Sequence, residues 1–113
     1  MPRLGETLES LERVVDSRKH AAPDRSYTSR LLVGGVAKIG AKVTEEAAEL
    51  VAAAASEADD RVVSEAADLT YHMLVLLASR GLSLAMVEDE LGRRFGVSGL
   101  DEKAARSKTG GSA

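Results

Sequence analysis

Four carboxylates in two short motifs are the residues of this chain best suited to chemistry. Glu46 and Glu49 stand three positions apart in KVTEEAAEL, and Glu65 and Asp68 do the same in SEAADLTYH. Positions three or four apart share one face of a helix, so each motif aims two acids in one direction. Like charges at that spacing repel by roughly 0.2–0.5 kcal/mol on an exposed helix, and by more when partly buried. Two such pairs on neighbouring helices call for a cation between them, and a hard divalent ion such as Mg²⁺ prefers carboxylate oxygen. The competing reading is a solvated acidic face paired with lysines; by residue physics alone the two are evenly matched.

The elements that must hold these acids read as helices. The apolar residues are 44% of 113, mostly Ala, Leu and Val, with no Trp, one Phe and two Tyr. That mixture favours closely packed helices over a β-sandwich. Leu4, Leu8, Leu11, Val14 and Val15 predict an amphipathic helix from about Leu4 to Arg18, ended by the loop around Pro23. Ser26 or Thr28 caps a short helical turn through Leu31 and Leu32, which Gly34-Gly35 interrupts. A second long helix is predicted from Val36 to about Ala55, with Ile39, Val43, Ala47, Leu50 and Ala54 as its stripe. Asp59 or Asp60 caps a third, Arg61 to Arg80, which is apolar nearly all round and stops at Gly81. A fourth follows Ser83, with Leu84, Val87, Leu91 and Phe95 inward.

These elements predict an all-α bundle of four to five helices in a single domain, residues 1–96, with a polar tail at 97–113 whose end is disordered. The short link between the second and third helices makes them antiparallel neighbours. At ~1.5 Å rise per residue the two acidic motifs then sit at comparable heights, so the sequence permits all four acids to converge. The third helix predicts a homo-oligomer, a homodimer that completes a larger bundle. No cysteine is present, which removes thiolate chemistry and Cys-based zinc sites. A net charge of −3 with interspersed signs gives no basic patch for nucleic acid. No window is apolar enough to span a membrane, and a cytoplasmic protein is expected.

SYTSRLL at Ser26–Leu32, the KIGAKVTEEAAEL segment, EAADLTYHMLVLLASRGLSL from Glu65 and the GLDEKAARS tail resemble the phosphoribosyl-ATP pyrophosphatase family. That family sits among the all-α nucleotide pyrophosphohydrolases with an ExxE…ExxD signature, and the resemblance covers nearly the whole chain. Thr44 departs from it, standing where the family has Gly in a KVGEE run. The resemblance implies Mg²⁺-dependent hydrolysis of phosphoribosyl-ATP to phosphoribosyl-AMP and pyrophosphate, in histidine biosynthesis. The alternative is a house-cleaning hydrolase of other nucleoside triphosphates, and a non-catalytic helical interaction module is the rival of a different class. The implied ligands are Glu46, Glu49, Glu65 and Asp68, with Glu45 orienting or deprotonating the water. Arg30, Lys38 and Lys42 are expected at the phosphates, although Lys42 fits a salt bridge to Glu46 nearly as well. His72, four after Asp68, suits a structural histidine bonded to a carboxylate better than a ligand, because Mg²⁺ prefers oxygen. Tyr71 suits the core or an interface. Ser26, Tyr27 and Thr28 form either a cap with its anchor or, as the resemblance implies, a substrate contact or structural lid. Lys103 and Arg106 are solvated charges unless the tail folds over the site. The implied partners are the substrate and, through its product, a phosphoribosyl-AMP cyclohydrolase.

Overall fold

Gly35 shapes the part of the chain that positions the acids. Its backbone takes φ 75° and ψ −170° inside the helix Tyr27–Ser56. That region is essentially open to glycine alone. The consequence shows at His72. Tyr27 Oη lies 3.1 Å from one ring nitrogen of His72, and Glu46 Oε1 lies 3.9 Å from the other. Along a straight helix, residues 27 and 46 would stand roughly 28 Å apart. The limb before Gly35 is therefore folded back beside the limb after it, and both meet the helix that carries His72.

The computed structural model describes residues 3–23 and 26–96. In order these are α1 (Glu6–Ser17), a 3-10 turn (Arg18–His20), α2 (Tyr27–Ser56), α3 (Asp59–Ser79) and α4 (Leu84–Phe95). There is no strand among the described residues, and the all-α expectation holds. The break at Gly34-Gly35 also falls where expected, so α2 counts as two helical limbs. No single described helix is long and apolar enough to cross a membrane.

Contacts divide the chain into a unit ending at Ser83 and a second beginning at Leu84. The first unit's core is Val15, Leu31, Ile39, Val75 and Ala78, with Leu11, Leu32, Val43, Tyr71 and Leu76 packed around it. Each fully buried Val, Leu or Ile there contributes roughly 1.5–3 kcal/mol. Ser26 caps the first limb, its Oγ accepting from the Ser29 N–H at 3.2 Å. Ser29 in turn donates to the Arg18 carbonyl at 3.0 Å, tying the limb to the 3-10 turn. At the end of α3, Gly81 takes φ 70° and donates to Ala78, while Leu82 donates to Leu77. This is the paired closure that lets a glycine stop a helix.

Several boundaries differ from the expectation. Leu4 precedes α1 and is fully exposed, and Val14 points outward, because only Val15 and its neighbours at helical spacing reach the core. Ala53, not Ala54, is the buried alanine of α2. Ala58 occupies the N-cap of α3, and Asp59 and Asp60 fall in its first turn. There their charge favours the positive end of the helix. In the second unit α4 buries none of its residues, and Leu91 and Phe95 are 48% and 79% exposed rather than inward. The tail from residue 97, with Lys103 and Arg106, lies outside the described residues.

Candidate metal centre

Glu46, Glu49 and Glu65 each offer an oxygen to a group whose atoms all lie within 4.8 Å of one another. Glu46 and Glu49 come from α2 beyond the Gly35 bend, and Glu65 comes from the first half of α3. Only Glu57 and Ala58 separate the two helices, which makes them antiparallel and sets the acids level. Glu46 and Glu65 are buried, and Glu49 is exposed at the rim.

Burial bears on the two readings of these acids. A solvated acidic face would keep its oxygens in water. Instead Glu46 Oε2 and Glu65 Oε2 are both buried with no hydrogen-bond partner. An unpartnered buried carboxylate oxygen is costly, and it normally signals a missing cation or proton. Glu65 shows the strain. Burial first, then hydrogen-bond contact with the Glu49 carboxyl and its charge, push its carboxyl above the usual range, with Asp68 adding to the push. Arg61 opposes this, its guanidinium 2.5 Å from Glu65 Oε1 and 3.5 Å from Glu57. One monocation shared between Glu57 and Glu65 leaves the three-acid group net negative. The donor set is all oxygen, as Mg²⁺ requires.

Asp68 is placed differently from the other three. It is exposed, and its side chain is not in the 4.8 Å group. Its backbone carbonyl accepts from His72 Nδ1 at 2.9 Å. A carbonyl can only accept, so in the neutral ring the proton sits on Nδ1, and Nε2 receives the Tyr27 hydroxyl. His72 is thus held by a phenol and a backbone carbonyl, with a carboxylate nearby, rather than bonded directly to a carboxylate. Tyr71 packs on the core as expected, and its hydroxyl meets Thr28 Oγ1. Ser26 is the cap and Thr28 part of its anchor, while Tyr27 is 44% exposed beside His72.

Lys42 pairs with Glu45 at 3.3 Å, one position short of the Glu46 partner expected for a salt bridge. That contact with Glu45 raises the Lys42 pKa, and the phenol of Tyr27 and the charge of Glu46 add to it. Lys42, Glu45, Tyr27 and Glu46 are accordingly neighbours. Glu45 is half-exposed beside the cluster and not within it. Arg30 and Lys38 are exposed on the two limbs of α2, and the stem of Lys38 lies over Gly34. Thr44 is exposed. The sequence reading missed Arg61, although its spacing of four from both Glu57 and Glu65 marks it as a helical ion-pair partner.

A cavity of about 410 Å³ lies elsewhere, lined by Arg18, Lys19, Ser29, Gly35 and Ala78 among others. None of the acids reaches it.

The chain also matches known proteins over most of its length. A family model described as Phosphoribosyl-ATP pyrophosphohydrolase matches residues 8–95. A protein of Erythrobacter litoralis named phosphoribosyl-ATP pyrophosphatase is 52% identical over 100 residues, 88% of this chain and 96% of that one. One of the same name from Zymomonas mobilis is 51% identical over 104 residues, 92% and 97% of the two chains. A third, from Trichlorobacter lovleyi, is 52% identical over 101 residues, 89% and 94%.

Proposed function

The chain belongs to the phosphoribosyl-ATP pyrophosphohydrolase family, and from that premise we propose that it hydrolyses phosphoribosyl-ATP to phosphoribosyl-AMP and pyrophosphate in histidine biosynthesis. The observation that carries the metal dependence is the pair of unpartnered buried oxygens, Glu46 Oε2 and Glu65 Oε2, inside a three-acid group. They fit a divalent cation. Glu46, Glu49 and Glu65 would hold Mg²⁺, with Asp68, whose charge already acts on Glu65, swinging in as the fourth ligand. When bound, the ion neutralises charge on the phosphates and orients them for in-line attack by water.

The chain's own residues do the remainder. Lys42 draws the polyphosphate, and Arg30 and Lys38 add positive charge on the exposed sides of α2. A phosphate arriving at Lys42 competes with Glu45 for its ammonium. That releases Glu45 to orient the attacking water and take its proton, a role typically worth about 10²–10⁴-fold in rate. Cationic charge beside Glu65 would offset the burial and acidic neighbours that push its carboxyl up.

A homodimer would cover Val63, 68% exposed on α3. Sedimentation of the purified protein tests it. The product is the substrate of a phosphoribosyl-AMP cyclohydrolase, so coupling to such an enzyme in the cytoplasm follows. The deciding experiment is direct assay on phosphoribosyl-ATP, with product identification and a parallel assay on deoxynucleoside triphosphates. Equal turnover of the deoxynucleotides would replace this reading with a house-cleaning hydrolase.

A further inference from the structure

Tyr27 occupies an unusual place for the first residue of a helix. The Gly35 bend carries it back to the acids, where it is 44% exposed. Its hydroxyl lies 3.1 Å from His72 Nε2, and its ring meets the His72 ring edge-on at 6.0 Å. His72 is buried, and its Nδ1 serves the Asp68 carbonyl at 2.9 Å while standing 3.9 Å from Glu46 Oε1. That last distance is too long for a hydrogen bond but keeps the positive end of the N–H dipole against an acid whose other oxygen has no partner. Hydrogen bonds at opposite ring nitrogens fix the imidazole plane. If one is removed, a half-turn of the ring costs only the other, and the N–H no longer faces Glu46.

From this arrangement we infer that Tyr27 is a positioning residue for the metal site, acting through His72 on Glu46 and on the Asp68 turn. The inference rests on the metal reading given above. Partners one step behind a ligand typically contribute 10–100-fold in metal affinity or activity. Tyr27 stands behind His72, so a loss of about tenfold is expected, at the low end of that range. The role also accounts for the fold-back: the bend at Gly35 brings a phenol where the acids need support.

The test is a cycle of Tyr27→Phe, His72→Asn and the double variant, read by melting temperature across a Mg²⁺ titration and by turnover. His72→Asn keeps a donor near the Nδ1 position and loses the Tyr27 partner. Tyr27→Phe should keep helical content, lower the metal-free melting temperature by no more than the loss of one hydrogen bond to buried His72 would, and shift the half-maximal Mg²⁺ concentration about tenfold upward. The double variant should need no more Mg²⁺ than His72→Asn alone. An unshifted Mg²⁺ midpoint in Tyr27→Phe overturns the inference, as does a double variant whose loss is the product of the two single losses, since Tyr27 would then act without His72. If His72→Asn does not fold, Tyr27→Phe decides by its midpoint, because Tyr27 is not among the buried core residues. A wild-type protein with no response to Mg²⁺ removes the metal reading and this inference together; a response in wild type that Tyr27→Phe shares unchanged removes this inference alone.

Discussion

Glu49 on α2 and Glu65 on α3 bring carboxylate oxygens within 4.8 Å of each other, and burial with that neighbour holds the Glu65 carboxyl above its ordinary range. A carboxyl raised in the folded state favours folding when protonated. Its contribution is fully present below the unfolded value and is lost as pH rises through the raised one. Glu65→Gln should therefore melt at a higher temperature than the metal-free wild type at neutral pH, with the difference vanishing in acid. The same substitution should erase stabilisation by millimolar Mg²⁺, which in the wild type grows with ligand concentration over Kd. Thermal melts with chelator and with Mg²⁺, at two pH values, check both halves.

Glu49→Gln keeps size and helix propensity and removes one charge from the three-acid group. Pyrophosphate release should fall at least about 100-fold, beyond what a supporting residue contributes, with circular dichroism unchanged. Asp68→Asn tests whether the exposed fourth acid joins the ion. A loss as large as that of Glu49→Gln is expected, and full turnover in either variant removes that residue from the ligand set.

Gly35 sits at φ 75° and ψ −170°, where a side chain is strained. Gly35→Ala should cost of order 1–3 kcal/mol. For a domain of this size each 1 kcal/mol lowers the melting temperature by about 4–8 °C. Gly34→Ala fails for another reason, since its new methyl would meet the Lys38 stem. The Lys38 Cβ, 2.9 Å from that methyl, is fixed to the helix backbone, so this loss should be of comparable size. Urea denaturation of both variants ranks them.

Glu90 on α4 is held down to about 2 by hydrogen bonds from Arg93 and Arg94. Its depressed value contributes stability above the unfolded carboxylate range, lost as pH falls towards 2. A carbon-detected titration of the Glu90 carboxyl should give a midpoint near 2, moving upward in Arg93→Ala and at high salt.

Much of this was legible because helices announce themselves by spacing. Ile39 and Val43 or Leu74 and Ala78 recur at helical intervals, and the short Glu57-Ala58 link dictates which helices are neighbours. The convergence of Glu46, Glu49 and Glu65 followed from counting rise along the two helices. The break at Gly34-Gly35 was legible, but not that the chain doubles back there, because glycine admits many turns and only packing selects one. Tyr27 beside His72 was hidden for that reason. Leu91 and Phe95 misled because an apolar stripe specifies a face and not its partner. Asp68 shares its turn with Glu65, yet its shorter side chain leaves it outside the group.

The two-residue join between α2 and α3 has a consequence for how this chain can change over time. Each helical position advances the axis by about 1.5 Å and turns it by about 100°. Losing one residue inside either helix between Glu49 and Glu65 would swing one acid away from the others. Working descendants of this sequence must therefore keep the number of positions between those acids, whatever residues fill them, and tolerate added length only outside that interval.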